Sequence, residues 1–309
     1  MKKDIDVLSG YSIGKILQCK PLKGGLFQRA YIVETDSSTF VLKCWEKNVL
    51  FQKIWHTLNR NLERESTYLS YLKHRNFPTH TCILNKEGKV VTTRKDAKYV
   101  LFSYVKGCEK KKYCIEDLTC IGSLVGMLHR ISKHYENMPS SDQRKIVIDM
   151  INNMKKESLI EKNVPVILKK ELQKTGSLGI SSIRTVCHNC LKPEHFLWRN
   201  GRISGLIDFD LAGRDRPLHD VAFCIAHICF DTDGNFNESS ASTFIKAYEK
   251  NSQEKMPTKL LGAFIRLALL KIICWEVYDN VKVFKKKIVL KDIKTLKRLE
   301  SMENYADEV

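Results

Sequence analysis

The run "TVCHNCLKPEHFLWRNGRISGLIDFDLAG", Thr185 to Gly213, gathers imidazole, thiol and carboxylate side chains within one short stretch. His188, Cys190 and His195 come first, and Asp208 and Asp210 follow after a strand-like segment. Far upstream, Gly24 and Gly25 stand between two extended runs, Lys43 sits among apolar neighbours in "FVLKCWE", and Glu65 lies on the next helical segment. A side-chain-free backbone can approach phosphate oxygens, and a lysine steadied by a carboxylate can hold α- and β-phosphates. Phosphoryl transfer from a nucleotide asks for held phosphates, a bridging metal and an acceptor hydroxyl aimed in line. Plainer readings stand beside this one. The glycine pair also suits an ordinary hairpin turn, Lys43 could point to solvent by strand alternation, and Asp208 could cap the turn after its strand. Cys187 and Cys190 form a C-x-x-C that could serve redox chemistry, or half a zinc site completed by Cys224, His227 and Cys229, although no second C-x-x-C exists.

Three segments, "HNCLKPEHFL", "GLIDFDLAGRDRPLHDVA" and "LVGMLHRI", resemble the aminoglycoside phosphotransferase and choline kinase group, whose fold is that of the protein kinases. The resemblance spans about Gly24 to Ala222 and is most specific in "GLIDFDLAG" and "LHDVA". It implies an α+β, bilobal, protein-kinase-like fold that uses ATP and magnesium. Lys43 would contact the phosphates with Glu65 as its anchor, and Asp208 would hold the metal with Asp210 behind it. Asp220 would brace the loop, and the stretch Phe102 to Val105, with Tyr104, would form the hinge against adenine. The group's loop pattern is H-G-D-x-x-x-x-N, whereas this chain has His188, Asn189, Cys190 and, at the last position, His195. The resemblance therefore sets Cys190 where a carboxylate aims the acceptor hydroxyl, and His195 where an amide oxygen meets magnesium. A thiol with an ordinary pKa of about 8.5 is mostly neutral at pH 7 and accepts protons weakly, and imidazole nitrogen is a poor magnesium ligand. Losing a positioned base costs about 100- to 10,000-fold in rate. The expectation is a kinase-like protein that binds ATP and magnesium with weak or lost phosphoryl transfer. Two alternatives stay open: an active phosphotransferase of a small-molecule hydroxyl, and a structural protein of the CotS-type spore-coat branch.

Positioning these residues requires two kinds of structure. "FQRAYIVET" and "TFVLKCWE", joined by "DSS", predict a hairpin; "NLERESTYLSYLKHR" predicts a helix; "KVVTTRKDAKYVLFSYV" predicts a second hairpin. From Gly107 onward the pattern is helical apart from the insert between Thr185 and Phe209, with β-like "HFLW" and "SGLIDF". Residues 1–105 are thus expected as a β-rich nucleotide-binding lobe, and 106–309 as a helical lobe with the active-site loop and substrate region. "LLGAFIRLALLKIICWEV" is broken by Arg266 and Lys271 and reads as a core helix, not a membrane span. "VKVFKKKIVLKDIKTLKRLE" reads as one amphipathic helix through Ile288, Ile293, Leu296 and Leu299.

With 309 residues, 43% apolar and 28% charged, the chain is long and apolar enough for a sizeable core. Asp4 and Asp6 interrupt any secretory leader, and eleven cysteines without repeating spacing fit a reducing compartment, so a cytoplasmic protein is expected. The net charge of +17 is spread along the chain without a reader motif, so nucleotide and a small acceptor are the expected partners and nucleic acid is not.

Overall fold

The computed structural model describes residues 2–22, 28–46, 62–95, 97–176 and 184–302. In chain order they form α1 (Lys2–Ile5), β1 (Ile16–Pro21), β2 (Arg29–Thr35), β3 (Thr39–Glu46), α2 (Leu62–His74), β4 (Cys82–Ile83), β5 (Thr92–Arg94) and β6 (Ala97–Ser103). Then follow α3 (Ile115–Ser132), α4 (Gln143–Met154), α5 (Val164–Lys174), β7 (Thr185–Cys187), β8 (Phe196–Arg199), β9 (Arg202–Leu206) and β10 (Gly213–Asp215). The chain continues with α6 (Pro217–Ile228), α7 (Glu238–Ser252), α8 (Thr258–Tyr278) and α9 (Leu296–Ser301). Two compact units emerge, Met1–Cys108 with Leu197–Asp210, and Glu109–Phe196 with Leu211–Val309. The segment Leu197–Asp210, assigned by sequence to the helical lobe, therefore groups with the β-rich unit. Its backbone explains why: Cys108 and Trp198 exchange hydrogen bonds of 3.0 and 2.8 Å, and the Leu206 amide donates to the Pro78 carbonyl at 2.9 Å.

The first unit is built on an antiparallel sheet ordered β1-β2-β3-β6-β4, with β5 paired to β6. The "DSS" turn closes the β2–β3 hairpin through the Thr35 amide and the Ser38 carbonyl, setting Ala30 opposite Lys43. Leu42 and Cys44 of β3 join a core with Tyr31, Val33, Leu101 and the amino-terminal Val7 and Leu8. Because side chains alternate across a strand, Lys43 must point to the other face. The amino-terminal stretch is anchored through Asp4, which is buried and accepts from Tyr31 (2.8 Å), Tyr99 (2.9 Å) and Arg29 (3.0 Å). Burial would raise the pKa of Asp4, but the two phenols and the guanidinium together hold it below the ordinary carboxylate value.

In the second unit the long α8 is buried along most of its length, as its apolar run requires, and it carries Arg266 and Lys271 inward. Arg266 meets Glu171 of α5 at 2.6 Å. The predicted carboxy-terminal helix is instead broken. Ile288 is paired with Ile160, a short 3-10 turn covers Leu290–Asp292, and regular helix is confined to α9. Ile288, Ile293 and Leu299 are all buried. Their burial is met by an irregular path, with backbone hydrogen bonds from Ile288 to Leu159 and from Glu161 to Ile288.

Two features carry predictions. Gly122 and Gly126 lie one turn apart on α3, against α7: a Cβ on Gly122 would run into the Phe244 carbonyl and stand 3.1 Å from the Ala247 Cβ. Gly122→Ala should therefore cost about 1–3 kcal/mol in urea unfolding, although alanine is the better helix former by about 1 kcal/mol. Asp215 of β10 is buried, its Oδ2 has no hydrogen-bond partner among the described residues, and burial pushes its carboxyl up to about 7. A carboxyl whose folded pKa exceeds its unfolded value of 3.8 binds its proton more tightly in the native state, so its contribution to stability falls as pH rises from about 4 to 7. Asp215→Asn should remove that decline, so melting temperatures at pH 5 and pH 8 should diverge less in the variant.

Candidate functional site

In the first unit Lys43 becomes the centre of a charge cluster. Its Nζ donates to Asp208 Oδ1 at 2.5 Å and lies 3.5 Å from Asp210 Oδ1, with Lys43 13% and Asp210 7% exposed. Burial works against an ammonium, yet the charges of Asp208, Asp210 and Glu65, with the Asp208 hydrogen bond, raise its pKa. Glu65 is buried on α2 and adds its charge to those of Asp208 and Asp210. Solvent is thus not the destination of Lys43. Phe102, the β6 partner of Val41, is buried with its ring centroid 5.6 Å from the ammonium, within cation–π range.

The carboxylates are held by backbone strain and packing. Asp208 adopts φ +70°, a left-handed conformation that aspartate tolerates better than most residues. It begins the break from β9 that sequence placed inside "SGLIDF" as strand. A 3-10 turn over Phe209–Leu211 follows, and buried Phe209 packs edge-on against Tyr68 of α2, with centroids 6.0 Å apart, and beside His80. Upstream, Thr79 Oγ1 donates to the Leu206 carbonyl at 2.8 Å. Two carboxylates converging on one cation offer hard oxygen ligands, and this donor set fits magnesium. Gly24 and Gly25 lie outside the described residues. Tyr104 is half-buried, and its amide donates to the Thr39 carbonyl at 3.3 Å.

The loop in the second unit is organised by Asp220, which is fully buried on α6. It accepts from the His188 amide at 2.6 Å, the Asn189 amide at 2.7 Å and His129 Nε2 at 3.1 Å. Burial alone would raise the Asp220 carboxyl, but the His129 hydrogen bond leads the contacts that bring it below its ordinary value. Asn189 takes φ +61°, where the group's pattern carries glycine, because asparagine is among the few side chains that enter this region readily. Cys190 and His195 are buried, and His195 Nδ1 donates to the Cys190 carbonyl at 2.7 Å. With Nδ1 engaged in that bond, the imidazole is a poor match to magnesium, which prefers oxygen. His188 and His195 lie with ring centroids 5.7 Å apart.

The cysteine alternatives gain little. All eleven cysteines are free thiols. Among the described residues the gathering with metal-binding spacing is His129, Cys187 and Asp220, not a set built on Cys190, Cys224 and Cys229. His129 and Asp220 are already joined in the loop brace, and burial drives the Cys187 thiol well above its ordinary pKa, against the thiolate that zinc requires.

Sequence reasoning passed over two residues that matter here. Asn189 was seen only as a departure from glycine, and Lys271 only as an interruption of an apolar helix, yet Lys271 Nζ donates to the Asn189 carbonyl at 2.6 Å. A lysine inside an apolar run was the available signal.

The profile of the phosphotransferase enzyme family matches residues 18–250. Homoserine kinase of Afipia carboxidovorans is 25% identical over 281 residues, covering 87% of this chain and 83% of the relative. Among solved structures, choline kinase LicA from Streptococcus pneumoniae aligns with a TM-score of 0.68 at 18% identity, covering 100% of this chain and 99% of that one. An aminoglycoside-3'-phosphotransferase of type VIII aligns with a TM-score of 0.62 at 17% identity, covering 87% and 98%. These likenesses show a shared kinase-like fold. No described helix is long and apolar enough to cross a membrane. With three-quarters of its length matched and the fold shared, the chain belongs to the phosphotransferase enzyme family.

Proposed function

We propose that this protein binds ATP with magnesium through Lys43, Asp208 and Asp210, and transfers phosphate slowly to the hydroxyl of a small molecule. The observation that carries the reading is the contact of Lys43 with both carboxylates, in a chain whose loop has Cys190 at the base position. Magnesium, when bound, would neutralise charge on the phosphate oxygens. Lys43 would hold the phosphates, and Glu65 would keep it charged. Asp208 and Asp210 would exchange their contact with the ammonium for the metal. The brace from Asp220 supports a loop that is ordered as an active one would be, so its deficit is chemical. A thiol at position 190 takes a proton from an alcohol less readily than a carboxylate at ordinary pH.

The relatives named homoserine kinase support a small hydroxyl-bearing acceptor as the substrate class. Those relatives also support retained activity, which is why slow transfer is preferred here to none.

The decisive comparison is ADP formation from ATP and magnesium, with L-homoserine as acceptor, by the natural protein and by Cys190→Asp. Restoring a carboxylate should raise turnover by about 100-fold or more. A natural protein that already turns over at about 1–100 per second, and that Cys190→Asp slows, would mean that the base is another group.

A further inference from the structure

The basic segment after α8 has no role in the account so far. Residues 280–291 hold five lysines and no acidic residue, against 52 basic and 35 acidic residues in the whole chain, so the excess is concentrated here. On one side of a regular helix these lysines would form an ordinary solvated face. The chain instead makes a turn of them. A π-helical stretch, Asp279–Val283, ends with the Phe284 amide donating to the Asp279 carbonyl at 3.3 Å; Lys285 then takes φ +54°, and the Lys286 amide donates back to the Asn280 carbonyl at 3.0 Å. A lysine held in the left-handed region is uncommon and carries a conformational cost.

The turn presents an aromatic ring beside three ammonium groups. Phe284 is 64% exposed, and it is the one exposed aromatic residue among those described. Lys285, Lys286 and Lys287 are exposed as well, and among the described residues none of them is paired with a carboxylate. Directly after them the chain is pinned: Ile288 is buried and bridged to Ile160, its amide donates to the Leu159 carbonyl at 2.8 Å, and its carbonyl accepts from the Glu161 amide at 3.0 Å. That pairing brings the connection that carries exposed Lys162 alongside. Two acidic residues flanking this anchor are engaged by the backbone, Glu161 Oε2 with the Leu290 amide at 3.3 Å and Asp292 Oδ2 with the Val289 amide at 3.4 Å. Scattered exposed lysines, or a single exposed ring, need no explanation. Here the ring and the unpaired cations share one turn whose backbone is held on both sides.

We infer that this turn is a docking surface for an anionic lipid bilayer. Its charge complements acidic headgroups, which draw Lys285, Lys286 and Lys287 to the surface, while the Phe284 ring enters the boundary between headgroups and acyl chains. One ring and three lysines make a reversible attachment, not an anchor. A single-stranded nucleic acid is bound by successive stacking rings along a basic groove, and the turn offers one ring. The inference is independent of the nucleotide chemistry proposed above.

Co-sedimentation of the full chain with phosphatidylcholine vesicles, with and without about one-third phosphatidylglycerol, provides the test. At about 0.1 M salt the anionic vesicles should bind the natural protein about 30-fold or more tightly than the neutral ones, and at about 1 M salt most of that preference should disappear. Phe284→Ala should weaken anionic-vesicle binding about tenfold, and Lys285→Gln, Lys286→Gln and Lys287→Gln together about 30-fold or more, with melting temperatures unchanged. The corresponding triple change to arginine should keep the binding, which separates lost charge from lost folding. Lys246, Lys250 and Lys259 are exposed elsewhere in the second unit, and changing these three to glutamine should have little effect. Equal binding to both kinds of vesicle, a preference untouched by the Phe284 and triple-glutamine variants, or an equal loss from the control lysines would overturn the inference. Tighter binding of a single-stranded RNA oligonucleotide than of anionic vesicles would also overturn it, by giving the turn to nucleic acid.

Discussion

An ammonium in the middle of a sheet has to be matched by carboxylates or left hydrated, and Lys43 is matched. The alternation of β3 commits Leu42 and Cys44 to the core, so Lys43 is carried to the other face, where Asp208 and Asp210 meet it. Much else in the first unit follows from that meeting. Asp208 holds a left-handed backbone, Phe209 is buried against Tyr68, and the strand β9 is tied by Leu206 to the chain at Pro78 and Thr79. A charge cluster built this way is preorganised, because its members already hold one another in place.

The second unit handles buried charge in two contrasting ways. Asp220 is saturated: two backbone amides and a histidine meet its oxygens, and the loop from His188 to Cys190 is fixed as a result. Lys271 has no carboxylate within ion-pair distance among the described residues and donates instead to two neutral acceptors, Gln143 Oε1 and the Asn189 carbonyl. Asn189, next to Cys190 in the loop, meets both groups: its amide donates to Asp220 and its carbonyl accepts from Lys271.

Local pattern made a large part of this fold legible. The β2–β3 hairpin follows from alternating apolar residues around "DSS", α2 from the leucine spacing that ends before Pro78, and the core position of α8 from its composition. Lys43, Glu65, Asp208 and Asp220 stood out as candidates through the order that the resemblance supplied, not through local pattern. What escaped depends on contacts between distant residues. Asp4 looked like an obstacle to a leader sequence, and its anchoring needs Tyr31 and Tyr99, which no local window joins to it. The segment after Val281 shows helical spacing, but pairing of Ile288 with Ile160 overrides it. Lys271 reads as a flaw in an apolar helix until the Asn189 carbonyl is found beside it.

The central claim is that Lys43 and Asp208 form a nucleotide and metal site, and magnesium linkage of ATP affinity tests it most directly. Calorimetry of ATP binding with and without magnesium should show magnesium tightening the natural protein by about tenfold or more, roughly 1.4 kcal/mol, and Asp208→Asn should abolish that tightening while the protein stays folded. No binding heat at millimolar ATP by the folded natural protein, or a magnesium effect undiminished in Asp208→Asn, would contradict the account.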